Sequence, residues 1–319
     1  MPVMATALPF RLGTRGSPLA LAQANEVRAR LATAHPALAP EGAVEIVVIK
    51  TTGDRIQDRT LAEAGGKGLF TKEIEEALLD GRIDAAVHSM KDVPTWLPDG
   101  LGIAAILPRE DPRDALFAGD GDSLAALPAG AVVGTAALRR QAQVLLARPD
   151  LKIVPLRGNV QTRLRKLAEG QVDATLLAMA GLKRLGLVEQ ATAILTPEEM
   201  LPAVAQGAIG IEIRLADELA REVIGALDDP ASERRVAAER ACLETLDGSC
   251  RTPIAAFAEW AGGDDTLHLR ALICLPDGTQ AHRASGTGAP GDAERLGRDL
   301  GEELRAAAGP AFFDILATL

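Results

Sequence analysis

The segment "DAAVHSMKDVP", residues 84 to 94, joins an apolar strand to four side chains that could take part in chemistry. Ser89, Lys91 and Asp92 come where the strand should end. A carboxylate in such a place accepts hydrogen bonds, stabilises a neighbouring cation or, when protonated, acts as a general acid. Asp92 is therefore a candidate catalytic residue, and a surface Lys91–Asp92 ion pair is the alternative. His88 should point to the opposite face of the strand and is predicted to be a packed, structural histidine.

Arginines form a second group of candidates. Residues 139 to 184 include ten basic and three acidic residues, although the whole chain has a net charge of −10. A planar guanidinium binds a carboxylate through two parallel hydrogen bonds, so this local excess indicates a small ligand with several negative charges. The arginines that could line such a cleft are Arg15, Arg139, Arg140, Arg157, Arg163 and Arg184. Arg148 and Arg165 are predicted to be exposed helix charges.

Cys250 is the third candidate. It lies in the loop "LDGSCRTP", where small neighbours leave the sulfur reachable. Cys242 falls within a predicted helix and Cys274 in an apolar strand, so both are predicted to be structural. The three cysteines have neither zinc spacing nor a CxxC pair, and the four histidines are scattered, so no metal site is predicted.

Strands and helices alternate along most of the chain, with helices predicted from Ser17 to about Thr33, from about Phe70 and, at the end of the chain, from about Asp292. The alternation predicts α/β lobes whose ligands bind beyond the carboxyl ends of the strands. The pattern occurs twice. "GTRGSPLALAQ" from Gly13 matches "GTAALRRQAQ" from Gly134, and "GRIDAAVHSM" from Gly81 resembles "GQVDATLLAM" from Gly170. These matches indicate a duplicated domain, and they place the opening segment at a strand end that faces the cleft between two lobes.

The second copy has Ala178-Met179-Ala180-Gly181 where the first has Ser89-Met90-Lys91-Asp92. The scaffold therefore does not need the ionisable pair, which favours a functional role for it. The excess length of the first copy falls in residues 51 to 70, predicted to be a mobile loop or lid. Its "GGKG" lacks the spacing of a phosphate-binding loop.

The composition excludes several classes of protein. No apolar stretch reaches the length of a membrane span, and the first residues lack the features of a secretory signal, so a cytoplasmic location is predicted. The acidic net charge and the 3% aromatic content, without tyrosine, argue against nucleic-acid binding.

Several motifs, taken in order, closely resemble the porphobilinogen deaminase family. They are "RLGTRGSPLALAQA", "GGKGLFTKEIEEALLDGRIDAAVHSMKDVPTWLPDGL", "REDPRDAL", "VGTAALRRQAQ", "LRGNVQTRL", "AGLKRLGL", "LPAVAQGAIGIE" and "DGSCRTPIA". The resemblance runs from about Arg11 to the C-terminus, and the long central motif is highly specific.

The resemblance implies two similar lobes of the type II periplasmic-binding-protein class and a small C-terminal α+β domain. The expected domains are residues 9–107 with 208–226, residues 108–207, and residues 229–319. The family condenses four porphobilinogen molecules into the linear tetrapyrrole hydroxymethylbilane and releases ammonia at each step. It is a transferase of porphyrin and heme biosynthesis, expected here as a monomer whose product passes to uroporphyrinogen-III synthase.

The resemblance also implies roles for individual residues. Members of the family hold a dipyrromethane cofactor, built from two porphobilinogen units, by a thioether to the cysteine that Cys250 matches. Asp92 matches the catalytic aspartate. The cofactor-binding positions are Ser89, Lys91, Asp92, Thr135, Arg139, Arg140, Arg157 and Gly158. The substrate-binding positions are Arg15, Ser17, Arg157, Arg163, Arg184 and Gln206, and the lid contributes Lys67 and Phe70.

The chain departs from the family pattern at a few positions. Ala136 and Ala137 replace serines, Ala205 replaces a glycine before Gln206, and Ser249 replaces a glycine before the cysteine. The alanines predict the loss of at least one hydroxyl contact to the cofactor. Two alternative functions stay open from the sequence: a non-catalytic binding protein for an anionic ligand, and a Schiff-base enzyme that uses Lys91.

Overall fold

A computed structural model describes residues 9–55, 68–248, 252–263 and 265–318 of the chain. Its strands, in chain order, are β1 Phe10–Thr14, β2 Val44–Val48, β3 Ala85–Ser89, β4 Leu101–Ile106, β5 Asp114–Ala118, β6 Val132–Gly134, β7 Lys152–Val154, β8 Ala174–Ala178, β9 Ala193–Ile194, β10 Ile209–Arg214, β11 Ile254–Ala261, β12 Thr266–Cys274 and β13 Ala281–Gly288. Its helices are α1 Pro18–Ala34, α2 Thr52–Arg55, α3 Lys72–Leu79, α4 Leu138–Ala147, α5 Val160–Ala168, α6 Met179–Leu185, α7 Glu218–Gly225, α8 Pro230–Thr245 and α9 Ala293–Thr318. Within the described residues, no helix is long and apolar enough to span a bilayer.

The first of two compact units contains the described residues up to 109 and residues 208–233. Its sheet has the strand order β2-β1-β3-β10-β4. β1 is parallel to β2 and β3, whereas β10 runs antiparallel to β3 and β4. The register places Ile209 opposite Ser89 and Ile213 opposite Ala85. Because strands β4 to β9 lie between β3 and β10 in the chain, residues distant in sequence lie beside the candidate strand β3.

The second unit contains residues 110–207 and the described residues from 234 onwards. Its five-stranded sheet has the order β7-β6-β8-β5-β9, with β6 parallel to both neighbours and β5 antiparallel to β8 and β9. This is the arrangement of the first sheet, strand for strand. A separate antiparallel sheet, β11-β12-β13, belongs to the C-terminal part. The predicted fold class, two similar α/β lobes and a small α+β domain, is confirmed.

Helix α1 shows how the local sequence forms an element that serves the site. The Ser17 side chain accepts a hydrogen bond from the Ala20 N–H, and Pro18 occupies the first turn, where its missing donor costs nothing. The buried face of α1 includes Ala24, Val27 and Leu31, which belong to the core of the first sheet. The helix therefore begins directly after the carboxyl end of β1, as the sequence predicts.

The chain returns from the second unit to the first through a strained segment. Ala205, which replaces the family's glycine, has φ of 57°, and a left-handed conformation costs a non-glycine residue about 1–2 kcal/mol. Its N–H donates to the buried Glu239 carboxylate at 2.6 Å. Gly207, with φ of 92°, lies so close to the Glu110 carbonyl that a Cβ atom would overlap it. One departure from the family pattern thus falls where the backbone favours glycine.

Two predicted helices differ in detail from the structure. The helix expected from about Phe70 begins at Lys72, after a turn closed by the Thr71 N–H on the Gly68 carbonyl. The final helix is interrupted at Gly309, whose φ of 72° precedes Pro310. Proline lacks the N–H that a continuous helix needs, and its ring clashes with the preceding turn, so the axis changes there.

Candidate functional site

The Ser89–Asp92 segment is fixed by the strand before it and by β10 beside it. β3 ends at Ser89, and Met90–Asp92 form a single 3-10 turn. The Met90 N–H donates to the Ala208 carbonyl at 3.0 Å, and the Met90 side chain is buried against Gly210, where a Cβ would overlap its sulfur. The turn that carries Lys91 and Asp92 is therefore held by backbone and packing contacts, independently of its ionisable side chains.

Asp92 lies beside Arg15 at the carboxyl end of the first sheet. Arg15 Nη1 is 4.0 Å from Asp92 Oδ2, and the two side chains retain 24% and 32% of their exposure. The Phe70 ring covers the guanidinium at 4.1 Å, a cation–π contact. Gly53 leaves room for that ring, because a Cβ there would overlap it, and the Gly53 N–H donates to the Leu69 carbonyl at 2.8 Å. The result is a partly exposed carboxylate next to a cation that is covered by an aromatic ring.

Ser89 is held from helix α1. Gln23 is 5% exposed, and its Nε2 lies 2.8 Å and its Oε1 3.1 Å from Ser89 Oγ. Ser17, predicted to bind substrate, is the residue whose hydroxyl caps α1. No feature of the sequence assigned a role to Gln23, although both repeat motifs end on a glutamine.

His88 is buried on the opposite face of β3, as predicted. Its Nε2 is 2.9 Å from Glu212 Oε2, and the side chains are 4% and 0% exposed. Glu75 of α3 is buried as well, and burial raises the pKa of its carboxyl. A buried histidine–carboxylate pair of this kind ties β3 to β10 and gives the candidate strand a fixed position.

The second unit contains a buried charge cluster around Asp114, which is 0% exposed. Arg139 Nη2 is 2.8 Å from Asp114 Oδ2 and Arg140 Nη2 is 2.7 Å from Oδ1. Gln206 Nε2 donates to the same Oδ1 at 2.9 Å. Two backbone carbonyls complete the arrangement, since Arg139 donates to Leu201 and Arg140 to Leu176.

The electrostatics of this cluster favour an anionic ligand. Burial alone raises the pKa of Asp114, but the two guanidiniums outweigh it and hold that pKa below its ordinary value. Burial lowers the pKa of Arg139, and Asp114 opposes this effect. Two cations and one carboxylate leave one positive charge in excess. Among the described residues, Arg140 Nε is buried without a hydrogen-bond partner. Sequence reasoning missed Asp114, although a carboxylate at the start of the apolar strand "DALFA" was a usable signal.

Ala136 and Ala137, which replace serines of the family pattern, lie at the start of α4. Thr135 is buried, and its Oγ1 accepts from the Ala137 N–H at 3.2 Å. Ala137 occupies the N-cap position and offers no side-chain oxygen to the helix. A serine or threonine there would supply such an acceptor. The replacement thus removes hydroxyls at a helix N-terminus, where the macrodipole favours anions.

The remaining predicted arginines also contact the backbone. Arg163 Nε donates to the Gly158 carbonyl at 2.9 Å, and Gly158 has φ of 121°. Lys166 Nζ donates to the Arg157 carbonyl at 3.2 Å. Arg184 donates to the Gly207 carbonyl, at the segment where the chain leaves this unit. These bonds fix the "RGN" turn and the last residues of the unit.

Two arginines predicted to be exposed helix charges differ from each other. Arg165 forms an exposed pair with Glu169 one helical turn away, as predicted. For Arg148 the prediction was wrong. Its guanidinium binds Asp150 through two bonds and donates to the carbonyls of Leu124, Ala125 and Leu127. Arg148 therefore fixes the loop before β6, an interaction that its position in the sequence does not reveal.

Cys250 and Lys67, together with most of the predicted lid, lie outside the described residues. Cys242 and Cys274 are free thiols in the core. Burial raises the pKa of Cys242 to about 12 and that of Cys274 to about 11. Because the thiolate is the nucleophile, neither is suited to form a thioether.

Comparison with known proteins places this chain in a class of cofactor-bearing enzymes. Residues 10–222 match the family model described as "Porphobilinogen deaminase, dipyromethane cofactor binding domain", and residues 234–306 match "Porphobilinogen deaminase, C-terminal domain". The chloroplastic porphobilinogen deaminase of Oryza sativa subsp. japonica is 59% identical over 310 residues, 96% of this chain and 86% of the relative. That of Nitrobacter hamburgensis is 58% identical over 306 residues, 96% of both chains. The chain belongs to the porphobilinogen deaminase family.

Two solved structures are similar to this chain at a low level. A periplasmic substrate-binding protein of an ABC transporter from Coxiella burnetii is 18% identical, with a TM-score of 0.42, over 72% of this chain and 96% of that one. A nutrient binding protein from Burkholderia cenocepacia bound to methionine is 16% identical, with a TM-score of 0.43, over 71% and 95%. Nothing about function follows from similarity at this level.

Family membership establishes the activity. The protein is a transferase of tetrapyrrole biosynthesis that joins four porphobilinogen molecules into hydroxymethylbilane, and it uses a dipyrromethane cofactor. Of the three functions considered from the sequence, the comparisons therefore support the polymerising enzyme, and not a binding protein or a Schiff-base enzyme. The residues present fit the cofactor, whose pyrroles carry acetate and propionate groups. The excess positive charge around Asp114 is complementary to a ligand carboxylate.

Proposed function

We propose that Asp92 is the catalytic group of this porphobilinogen-condensing enzyme and that Arg15 and Lys91 hold substrate and cofactor carboxylates beside it. The observation that carries the proposal is a partly exposed Asp92 carboxylate 4.0 Å from the Arg15 guanidinium. Loss of ammonia from porphobilinogen leaves a positive charge on the substrate. Asp92 stabilises that charge electrostatically and then helps to remove the proton that must leave after the new bond forms.

The second unit supplies carboxylate binding in this proposal. Arg139 and Arg140 are fixed by Asp114, and Thr135 lies just before the helix that carries them. Arg157, Gly158, Arg163, Arg184 and Gln206 complete the set of proposed contacts. When bound, the cofactor supplies the pyrrole to which the first substrate unit is joined. Guanidiniums with their own counter-ion and backbone acceptors lose little side-chain freedom when a ligand carboxylate arrives.

Cys250 is the proposed anchor of the cofactor. The raised pKa values of Cys242 and Cys274 support this assignment, because burial suppresses both of their thiolates. Phe70 is the proposed lid contact on Arg15, supported by the 4.1 Å cation–π distance. Lys67 and Ser17 are proposed to contact substrate on the strength of the family motif alone.

The finer organisation is also a proposal. Three separate sheets support domains at residues 9–107 with 208–226, 108–207 and 229–319. Free thiols at Cys242 and Cys274 support a reducing, cytoplasmic location. We further propose that the protein is a monomer. Its linear tetrapyrrole product is proposed to pass to uroporphyrinogen-III synthase.

The role of Arg15 is tested by Arg15→Gln, with Arg28→Gln on the exposed face of α1 as the matched control. Arg15→Gln removes a charged hydrogen-bond donor to a carboxylate, so KM for porphobilinogen should rise roughly tenfold or more. Arg28→Gln should leave KM unchanged. Steady-state release of ammonia and hydroxymethylbilane measures both. An unchanged KM in Arg15→Gln would remove Arg15 from the proposed site.

A further inference from the structure

We infer that Gln23 is a positioning residue for the reaction: its side-chain amide fixes the Ser89 hydroxyl so that Ser89 donates its hydrogen to a carboxylate of the bound pyrroles. The inference rests on the proposed function and on the cofactor-binding role that the family resemblance implies for Ser89. Gln23 itself touches neither substrate nor cofactor in this account. It acts through one oxygen atom.

The geometry around Ser89 Oγ assigns the direction of the hydrogen bonds. Gln23 Nε2, which only donates, lies 2.8 Å from Ser89 Oγ, whereas Gln23 Oε1 lies 3.1 Å from it. The shorter contact fixes the oxygen of Ser89 as an acceptor. The hydroxyl hydrogen of Ser89 donates to the Gln23 amide oxygen when no ligand is bound. A ligand carboxylate is a stronger acceptor than an amide oxygen, so it takes over this hydrogen bond.

Burial makes this contact selective. Gln23 is 5% exposed and lies on the face of α1 that packs against the first sheet, so water does not compete for its amide. Ser89 is only half-buried and is the last residue of β3. The amide is thus held in the core while the hydroxyl that it orients remains accessible to a ligand.

The internal repeat supplies a natural comparison. Gln23 is the sixth residue of α1 and Gln143 is the sixth residue of α4. In the second unit the last residue of the equivalent strand β8 is Ala178, which has no hydroxyl. There Gln143 accepts from the Leu201 N–H at 2.8 Å and donates to the Leu201 carbonyl at 3.0 Å. The scaffold therefore places a buried glutamine at this position in both lobes, and only the lobe with Asp92 turns it toward a side-chain hydroxyl.

The test is a double-mutant cycle on Gln23 and Ser89. Gln23→Met keeps the size of the side chain and removes the amide, and Ser89→Ala removes the hydroxyl. Each single variant should raise KM for porphobilinogen roughly tenfold, the size expected for one hydrogen bond to a charged group. Gln23→Met added to Ser89→Ala should raise KM no further, because Gln23 acts only through the hydroxyl.

A readout independent of turnover accompanies the cycle. Cofactor-free protein is mixed with porphobilinogen, and the fraction of chains that gain the mass of two pyrrole units is followed with time by intact-mass spectrometry. Gln23→Met and Ser89→Ala should slow this gain by the same factor, and the double variant by no more. The inference would be overturned if the effects of the two substitutions on KM or on the loading rate multiplied in the double variant. It would also be overturned if Gln23→Met had the same KM and loading rate as the unsubstituted protein.

A second variant covers the case in which Gln23→Met fails to fold. Gln23→Glu has the shape of glutamine, but its carboxylate accepts the Ser89 hydrogen and withdraws it from the ligand. Gln23→Glu should raise KM and slow cofactor loading at least as much as Ser89→Ala does. A Gln23→Glu protein with unchanged KM and loading would overturn the inference. A Ser89→Ala protein that behaves like the unsubstituted one would also overturn it. Failure of the proposed function is distinguishable, because Asp92→Asn would then keep its kcat, whereas the Gln23 and Ser89 variants would still report on their hydrogen bond through KM and cofactor loading.

Discussion

Replacing Asp92 with asparagine is expected to lower kcat by at least about a hundredfold, because one carboxylate carries out charge stabilisation and proton removal at every condensation. Asparagine keeps the shape of the side chain and its hydrogen bonding. It can neither hold a negative charge next to a developing cation nor accept a proton at neutral pH. The 3-10 turn that carries residue 92 is fixed by Met90 and Ala208, so the substitution should leave the fold intact.

Asp99→Asn is the matched control for this experiment. Asp99 is exposed and lies seven residues further along in the same unit, so its substitution should leave kcat unchanged. Ammonia release measures kcat, and thermal unfolding checks that both variants fold. If Asp92→Asn retains kcat within about threefold of the unsubstituted protein, the carboxylate is not the catalytic group.

Replacing Asp114 with asparagine is expected to have the largest effect on stability. Asp114 is the shared counter-ion of Arg139 and Arg140, which are 7% and 5% exposed. Without it two guanidiniums stay buried with no compensating charge. Breaking a buried pair in this way lowers the free energy of unfolding by about 3–5 kcal/mol. Urea unfolding at neutral pH measures the loss, and Glu169→Gln, which affects only exposed contacts with Arg165 and Gln171, should have little effect.

The pH dependence of the Asp114→Asn effect has a definite sign. The two guanidiniums hold the pKa of Asp114 below its ordinary value, so the folded state favours the ionised form. The stabilisation is fully present above the unfolded pKa of about 3.9 and is lost as pH falls toward the folded pKa. The difference between the two proteins should therefore shrink only below about pH 4.

A charge-restoring variant separates the counter-ion role from a loss of shape. Asp114→Asn combined with Arg139→Gln removes one anion and one cation, so a single buried positive charge remains, as in the unsubstituted protein. This double variant should recover part of the stability lost in Asp114→Asn. If it is less stable than Asp114→Asn by the full cost of Arg139→Gln alone, Asp114 does not act as the shared counter-ion.

The elements that position the site follow from local sequence. The apolar strands that end on polar residues, the Ser17–Pro18 start of α1 and the duplicated Gly-Thr motif are local patterns, and the structure contains them as predicted. The identity of Asp92 as a strand-end carboxylate depends on the same short-range information.

The supporting contacts could not be predicted in this way, because their partners are distant in sequence. Gln23 and Ser89 are 66 residues apart, Asp114 and Gln206 are 92 apart, and His88 and Glu212 are 124 apart. Periodicity reports which face of an element is buried, but not which element covers it. The same limit explains Arg148, whose helix-end position suggested solvent although the guanidinium binds three loop carbonyls.

The departures from the family pattern also acquire a physical meaning. Ala137 leaves α4 without a side-chain cap directly before Arg139 and Arg140. Ala205 occupies a left-handed conformation and donates to the buried Glu239. Both changes concern backbone groups next to the proposed binding residues.

We propose that the dipyrromethane from which this chain builds tetrapyrroles is held on Cys250, and intact-mass measurement can show that bond. The purified protein and its Cys250→Ser variant are weighed after incubation with porphobilinogen, with Cys242→Ala as the control for loss of a buried cysteine. We expect an extra mass of two linked pyrrole units on the unsubstituted protein and on Cys242→Ala, and the bare mass for Cys250→Ser. An equal extra mass on Cys250→Ser, or a bare mass for the unsubstituted protein, would contradict it.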